Sequence, residues 1–418
     1  INGSSAAGNI DLGTNGTITD LAVGGLPDGS VDADSMASIP ATKLTGTIAD
    51  ARFPATLPAV SGANLTGISS PLSFRNKIIN GAMQVNQRGT RTGGTSNGYY
   101  ACDRWRTFLW DIGTYTIQQD TDGPEGFRYS LKWDCTTADT SVAAGSRIGV
   151  RYIFEGDDLQ DLKYGTSNAE SMTLSFWIKS TVTGTAAVRF KNLNSGGTKM
   201  IGQNVTISAA NTWEKKTVTI AGDTAAAIEG GNGAEYEIFI FFNAGTNYTS
   251  GAVPTSWEAA TDADLAAGAN IAINNSTSNN IWLTGVQWEK GTTATDFEHK
   301  SYHDELQRCL RYYCSFNGQS SHFTGRVGGG SNFEGTVVTP VPMRASPTAS
   351  ITGSTATWTS YSASARGLNI STSPSVDLWF AGQCAMRLVV NNAGTHTDDR
   401  CMTIKTNNNS VFVLDAEL

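Results

Sequence analysis

The sequence predicts a mainly β protein in four parts: an extended shaft, a β-sandwich, one short helix and a small C-terminal β domain. Three observations carry this reading. Charged residues make up 16% of the 418 positions while glycine numbers 45, the low-charge, turn-rich balance of β structure. Apolar and polar residues alternate in several short stretches, such as MTLSFWIKS at Met172–Ser180. Across residues 281–315 the apolar pattern then changes from a period of two to helical spacing.

Residues 1–72 form the first part. Up to residue 70 they hold one aromatic side chain, Phe53, and short strings recur, GTITDL at 16–21 returning as GTIADA at 46–51. Alone, such a segment buries too little apolar surface to offset its ordering entropy. It reads either as a linker or as a thin shaft in which three identical chains wind together. Small apolar residues such as Leu21, Val31, Ile39, Leu44, Ile48 and Leu57 recur throughout, which favours the shaft.

Residues 73–300 hold most of the aromatic residues and read as a sandwich. Leu174, Phe176 and Ile178 share one strand face; Val218 with Ile220, and Ile238, Ile240 with Phe242, repeat the pattern. Trp177 falls on an otherwise polar face, so it should be partly exposed or covered by a loop. Residues 301–315 form a connecting helix that starts at Ser301 with Asp304 three positions on, an imperfect capping box. Tyr302, Leu306, Cys309 and Tyr313 then recur at spacings of four, three and four. This narrow seam suits packing against copies of the same helix, though a helix buried in its own domain gives the same spacing. Residues 316–418 carry further strand-like runs separated by Gly- and Asn-rich turns. There Trp358 and Tyr361 lie in the Ser/Thr-rich run TATWTSYSAS, as a glycan platform or as ordinary core.

Composition narrows the function. No run of eighteen apolar residues spans a membrane, and a net charge of −8 without a Lys/Arg cluster argues against nucleic acid. Six cysteines (Cys102, Cys135, Cys309, Cys314, Cys384, Cys401) are scattered too widely for a disulfide framework and read as buried free thiols. Catalysis finds little support. His299 and His303 are four apart with no third zinc ligand in register, and no nucleophile elbow, P-loop or C-x-x-C is expected. The Asp103–Arg104–Trp105 triplet reads either as a sugar site or, better, as a buried Trp beside an Asp–Arg pair that fixes a strand start.

The strings RNKIINGAMQVNQRGT (75–90), YACDRWR (100–106), IFEGDDLQDLKYGTSNAESMTLSFWIKS (153–180) and TGVQWEKGTTATDFEHKSYHDELQRCLRYY (284–313) occur in that order. Together with PVPMRASPT (340–348) and the final DAEL they resemble the receptor-binding tail fibres of tailed bacteriophages. The resemblance implies a carbohydrate-binding-module-like jelly roll and a tip domain. It also implies a homotrimer on the virion, made in the host cytoplasm and joined to the tail through a further N-terminal region. Its expected partner is a host cell-surface glycan or lipopolysaccharide, contacted by Trp358, Tyr361 or Trp177, without catalysis. Such jelly rolls often hold a structural calcium, for which Glu155, Asp157 and Asp158 would be the oxygen donors. A polysaccharide-cleaving tailspike and a purely structural fibre are the alternatives.

Overall fold

The computed structural model describes residues 74–193, 197–317, 322–328, 332–352, 358–361, 366–370, 376–379, 385–390, 401–406 and 411–418. The shaft expected over 1–72 lies outside these residues, as do the side chains of Trp358 and Tyr361.

The mainly β expectation holds. The first strands are β1 (Arg91–Gly94), β2 (Gly98–Tyr99), β3 (Arg106–Trp110), β4 (Thr114–Asp120), β5 (Ser130–Thr137), β6 (Arg147–Glu155) and β7 (Met172–Ser180). They are followed by β8 (Gly184–Asn192), β9 (Lys199–Ile207), β10 (Glu214–Ile220), β11 (Ala234–Ala244), β12 (Glu258–Ala259) and β13 (Asn280–Lys290). One sheet runs β1-β4-β5-β13-β7-β10 and the other β12-β9-β8-β11-β6-β3-β2. The chain passes back and forth between the two sheets and all pairings within them are antiparallel, the arrangement of a β-sandwich. The alternation read from the sequence supplies the core. Leu174, Phe176, Ile178 and Trp133 point inward from the first sheet, against Val150, Phe190, Ile238 and Phe242 from the second. Ring contacts lock the layers, with Trp133 5.2 Å from Phe242 and Trp288 4.8 Å from Phe154.

A single helical turn, α1 (Thr246–Thr249), belongs to the segment that covers the outer face of the second sheet, where Phe239 and Phe241 stack 5.4 Å apart. The helix α2 (Tyr302–Leu310) starts where its cap foretells, the Ser301 hydroxyl accepting from the Asp304 N–H at 3.1 Å. Its seam differs from the expectation in two ways. The helix stops at Leu310, so Tyr313 opens the strand β14 (Tyr313–Asn317). Cys309 is fully buried in the sandwich core and Leu306 packs partly against that core. The seam is therefore taken up largely by the chain's own interior, and only Tyr302 stands free, 57% exposed.

The remaining strands are β15 (His322–Gly328), β16 (Asn332–Val338), β17 (Thr348–Thr352), β18 (Trp358–Tyr361) and β19 (Arg366–Ile370), then β20 (Val376–Trp379), β21 (Ala385–Val390), β22 (Cys401–Thr406) and β23 (Val411–Asp415). They form a three-stranded sheet β14-β23-β17 and a seven-stranded sheet β19-β18-β22-β15-β16-β21-β20. Trp358 and Tyr361 thus sit at the two ends of β18, paired to β22 and β19.

The final residues run back into the base of the sandwich. Arg104, a non-glycine residue at φ 73°, pairs in the interior with Glu417, and Arg88 bonds both Asp415 and Glu417 at 3.1 Å. The Tyr99 hydroxyl donates to the Leu418 carbonyl at 2.7 Å, and the Arg344 guanidinium donates to the carbonyls of Ala416 and Glu417. The structural reading of the triplet gains a different pairing. Asp103 accepts from the Gln87 N–H and side-chain amide, whereas Arg104 reaches across to Glu417. Trp105 is buried and its indole N–H donates to the Asn80 carbonyl.

Candidate glycan-binding site

Tryptophans on the outer surface of the sandwich fall into two kinds. Those of the first sheet are already engaged. Trp282 lies under the Lys179 and Lys132 ammonium groups, 4.3 and 5.3 Å from its ring centre. Trp213 donates its indole N–H to Asp122, which also binds Lys179. Trp177 is half-buried, as its polar strand face suggested. It lies against Gly285, whose φ of 59° and bare Cα leave room for Trp177 and Phe127; an added Cβ would come within 2.8 Å of both rings. Phe127 continues into Phe297 and His299 at 4.9 and 5.1 Å, a loop cover over that face.

Trp110 is the other kind: 54% of its surface is exposed, the most of any tryptophan among the described side chains. It ends β3, where the chain turns from one sheet to the other, and the sequence around it explains the turn. Asp111 adopts φ 46°, a conformation Asp tolerates. Ile112 is buried and anchors the corner, its carbonyl accepting from the Tyr115 hydroxyl. Gly113 has φ 92°, and a side chain there would strike the Thr137 carbonyl at 2.6 Å.

Around Trp110 the corner opens a cleft of about 820 Å³, lined also by Ser96, Asp111, Thr114, Asp139 and Ser141. Its walls are held from behind. Asn97 accepts from the Leu109 N–H at 2.7 Å, and the Ser146 hydroxyl donates to the Asp111 carbonyl. Asn274 clamps Asp139 by two bonds, its carbonyl accepting at 2.8 Å and its amide donating at 2.7 Å. One Asp139 oxygen accepts from the Ser141 N–H at 2.9 Å, leaving the other available. The result is an exposed indole face bordered by two carboxylates and several hydroxyls. That is the chemistry a pyranose ring requires: an apolar platform for its C–H face and acceptors for its hydroxyls. The cleft lies far from the latched base. Arg147, opposite Trp110, and Glu155 bound the nine residues of β6, about 26 Å of strand.

A second cavity of about 410 Å³ lies beside the helix, lined by Phe74, Lys77, Asp158, Arg308, Arg311 and Tyr312 among others. Its cations are largely spent within the chain: Lys77 binds Asp161 at 2.7 Å and Arg311 holds Glu155. The same pairing corrects the expected calcium triad. Glu155 accepts two bonds from Arg311, at 2.9 and 2.6 Å, and a third from the Tyr312 hydroxyl. Asp157 caps the Gly231 N–H at 2.6 Å instead, and burial and the Glu155 charge push the Asp158 carboxyl up. Among the described residues no three His, Cys, Asp or Glu side chains converge on a metal position.

Two further points bear on chemistry. Cys102, Cys135, Cys309 and Cys314 are buried free thiols, as expected of them. The expectation of no nucleophile elbow needs correcting at the level of sequence, since residues 94–98 read Gly-Thr-Ser-Asn-Gly. In the fold this string links β1 to β2 rather than a strand to a helix, and the Ser96 hydroxyl lies 3.3 Å from that of Tyr100. It is a connecting loop, not an elbow. Trp110 itself was missed: its only sequence signal is a tryptophan followed directly by the turn residues Asp111, Ile112 and Gly113.

No family model matches the chain, and no curated protein does. Several solved structures are similar to part of it. The enzymatically active domain of bacteriophage CBA120 tailspike protein 4 is 14% identical with a TM-score of 0.28, over 52% of this chain and 22% of that one. The CBM22-2 xylan-binding domain of Paenibacillus barcinonensis Xyn10C is 12% identical with a TM-score of 0.26, over 45% of this chain and 92% of that one. A family 30 carbohydrate-binding module is 9% identical with a TM-score of 0.25, over 52% of this chain and 88% of that one. The matched region thus spans well under two-thirds of the tailspike structure's length. At these identities and scores the functional reading rests on the chain's own residues.

Proposed function

We propose that this chain is a receptor-binding fibre protein of a tailed phage that attaches to host cell-surface glycans without cleaving them. The observation that carries glycan binding is Trp110, an exposed indole in a braced cleft with Asp111 and Asp139 at its rim. The fibre role draws on the ordered strings that resemble tail fibres and on the shaft-like residues 1–72. Assembly as a homotrimer would present three such clefts, so modest single-site affinity would be multiplied by avidity.

The test is retention of the purified chain on immobilised bacterial surface polysaccharides, measured beside Trp110→Ala. Binding that depends on Trp110 supports the reading; equal binding by both proteins overturns it. Mass in solution checks the trimer. One observation favours a second reading: two carboxylates share the cleft, as glycoside hydrolysis requires. Release of reducing ends from a bound polysaccharide would establish that enzyme.

A further inference from the structure

The cleft around Trp110 also carries information about which sugars it accepts, a selectivity that presupposes the glycan binding proposed for it. Its lining holds two carboxylates, Asp111 and Asp139, hydroxyls from Thr95, Ser96, Thr114 and Ser141, and no lysine or arginine. The nearest cations by register are committed elsewhere. Arg147, cross-strand from Trp110, donates to the Tyr248 hydroxyl and stacks 4.5 Å over Phe108; the Arg91 guanidinium lies over the Tyr100 ring at 5.5 Å.

We propose that this cleft selects saccharides lacking acidic groups, binding neutral chains and excluding uronates, sialylated glycans and phosphorylated sugars. The physical reason is one of sign. A carboxylate accepts hydrogen bonds strongly and has none to give, so paired aspartates suit the donor hydroxyls of a neutral sugar. An incoming carboxylate or phosphate finds no cation in the lining to neutralise it. It meets two like charges in a concave site, where repulsion exceeds its value in open water. Exclusion by like charge is a usual route to specificity, because it penalises the wrong ligand without strengthening the right one.

The test uses the full chain and two probes of similar length, a neutral galactomannan and a polyuronate, by titration at low and moderate salt. Retention of galactomannan with polyuronate at least about tenfold weaker supports the proposal. So does a gain of polyuronate affinity in the double substitution Asp111→Asn with Asp139→Asn. Raising salt should narrow the gap by screening the repulsion. Equal or tighter polyuronate binding by the unaltered chain overturns the selectivity while leaving glycan binding intact. Binding of neither probe, nor of any other saccharide on a broad panel, overturns the glycan reading itself and this inference with it.

Discussion

Removing the Glu417 carboxylate tests whether the folded-back final residues hold the base of the sandwich together. Glu417→Ala leaves Arg104, with 1% of its side chain exposed, without its carboxylate, and takes from Arg88 one of its two acidic partners. Arg104 keeps its bond to the Ile153 carbonyl at 2.6 Å and its place 3.4 Å over the Tyr312 ring. Neither neutralises a buried guanidinium. Breaking a buried ion pair from one side costs about 3–5 kcal/mol, a large share of the roughly 5–15 kcal/mol by which folded domains are stable. Urea unfolding followed by near-UV circular dichroism should show a lower midpoint at similar slope. Pairing Glu417→Leu with Arg104→Met should recover much of the loss, because the uncompensated charge goes with its partner. A cost below about 1 kcal/mol for the single change, or strict additivity of the two changes, would refute the latch.

Three further outcomes are expected. Trp110→Ala should weaken glycan binding about 30-fold, since a sugar covering roughly 80 Å² of the indole is worth about 2 kcal/mol; titration calorimetry checks this, and an unchanged affinity contradicts it. Burial pushes the Asp103 carboxyl up from 3.8 to about 7, although Arg88 and Gln87 pull the other way. The folded state thus holds that proton more tightly than the unfolded state. Its contribution to stability is full below about pH 4 and falls as pH rises towards 7, by at most about 1.4 kcal/mol per unit. Asp103→Asn should flatten that part of the pH–stability curve, and an unaltered slope counts against the burial argument. Gly285→Ala should cost about 1–3 kcal/mol, because the left-handed backbone and the rings of Trp177 and Phe127 leave no room for a methyl group; a thermal midpoint equal to the parent's would contradict it.

Much of the sandwich was legible because each strand buries one face, and a period of two survives in any single stretch. Leu174, Phe176 and Ile178 needed no partner to be read as core. The Ser301 cap was equally local, since the hydroxyl and the N–H it accepts from are three residues apart. The illegible parts depend on pairings across long loops. Arg104 meets Glu417 over a separation of 313 residues, and neither residue's neighbours mark the other. The helix seam of Tyr302, Leu306 and Cys309 had the right spacing for self-association but could not say whose interior it would fill. Trp110 shows the same limit at a site: its exposure is decided by the corner between two sheets, not by the residues beside it. Glu155, read as an ion ligand from its acidic neighbours, was claimed by Arg311, 156 residues away.

The long-range pairing at the base has a consequence for biosynthesis. At roughly 5–20 residues per second, the ribosome adds Glu417 about 15–60 s after Arg104. Through that interval two guanidinium groups wait without their carboxylates, and the sandwich stays unsealed. A product cut short by nonsense or proteolysis would keep that weakness permanently, marking it for cellular proteases.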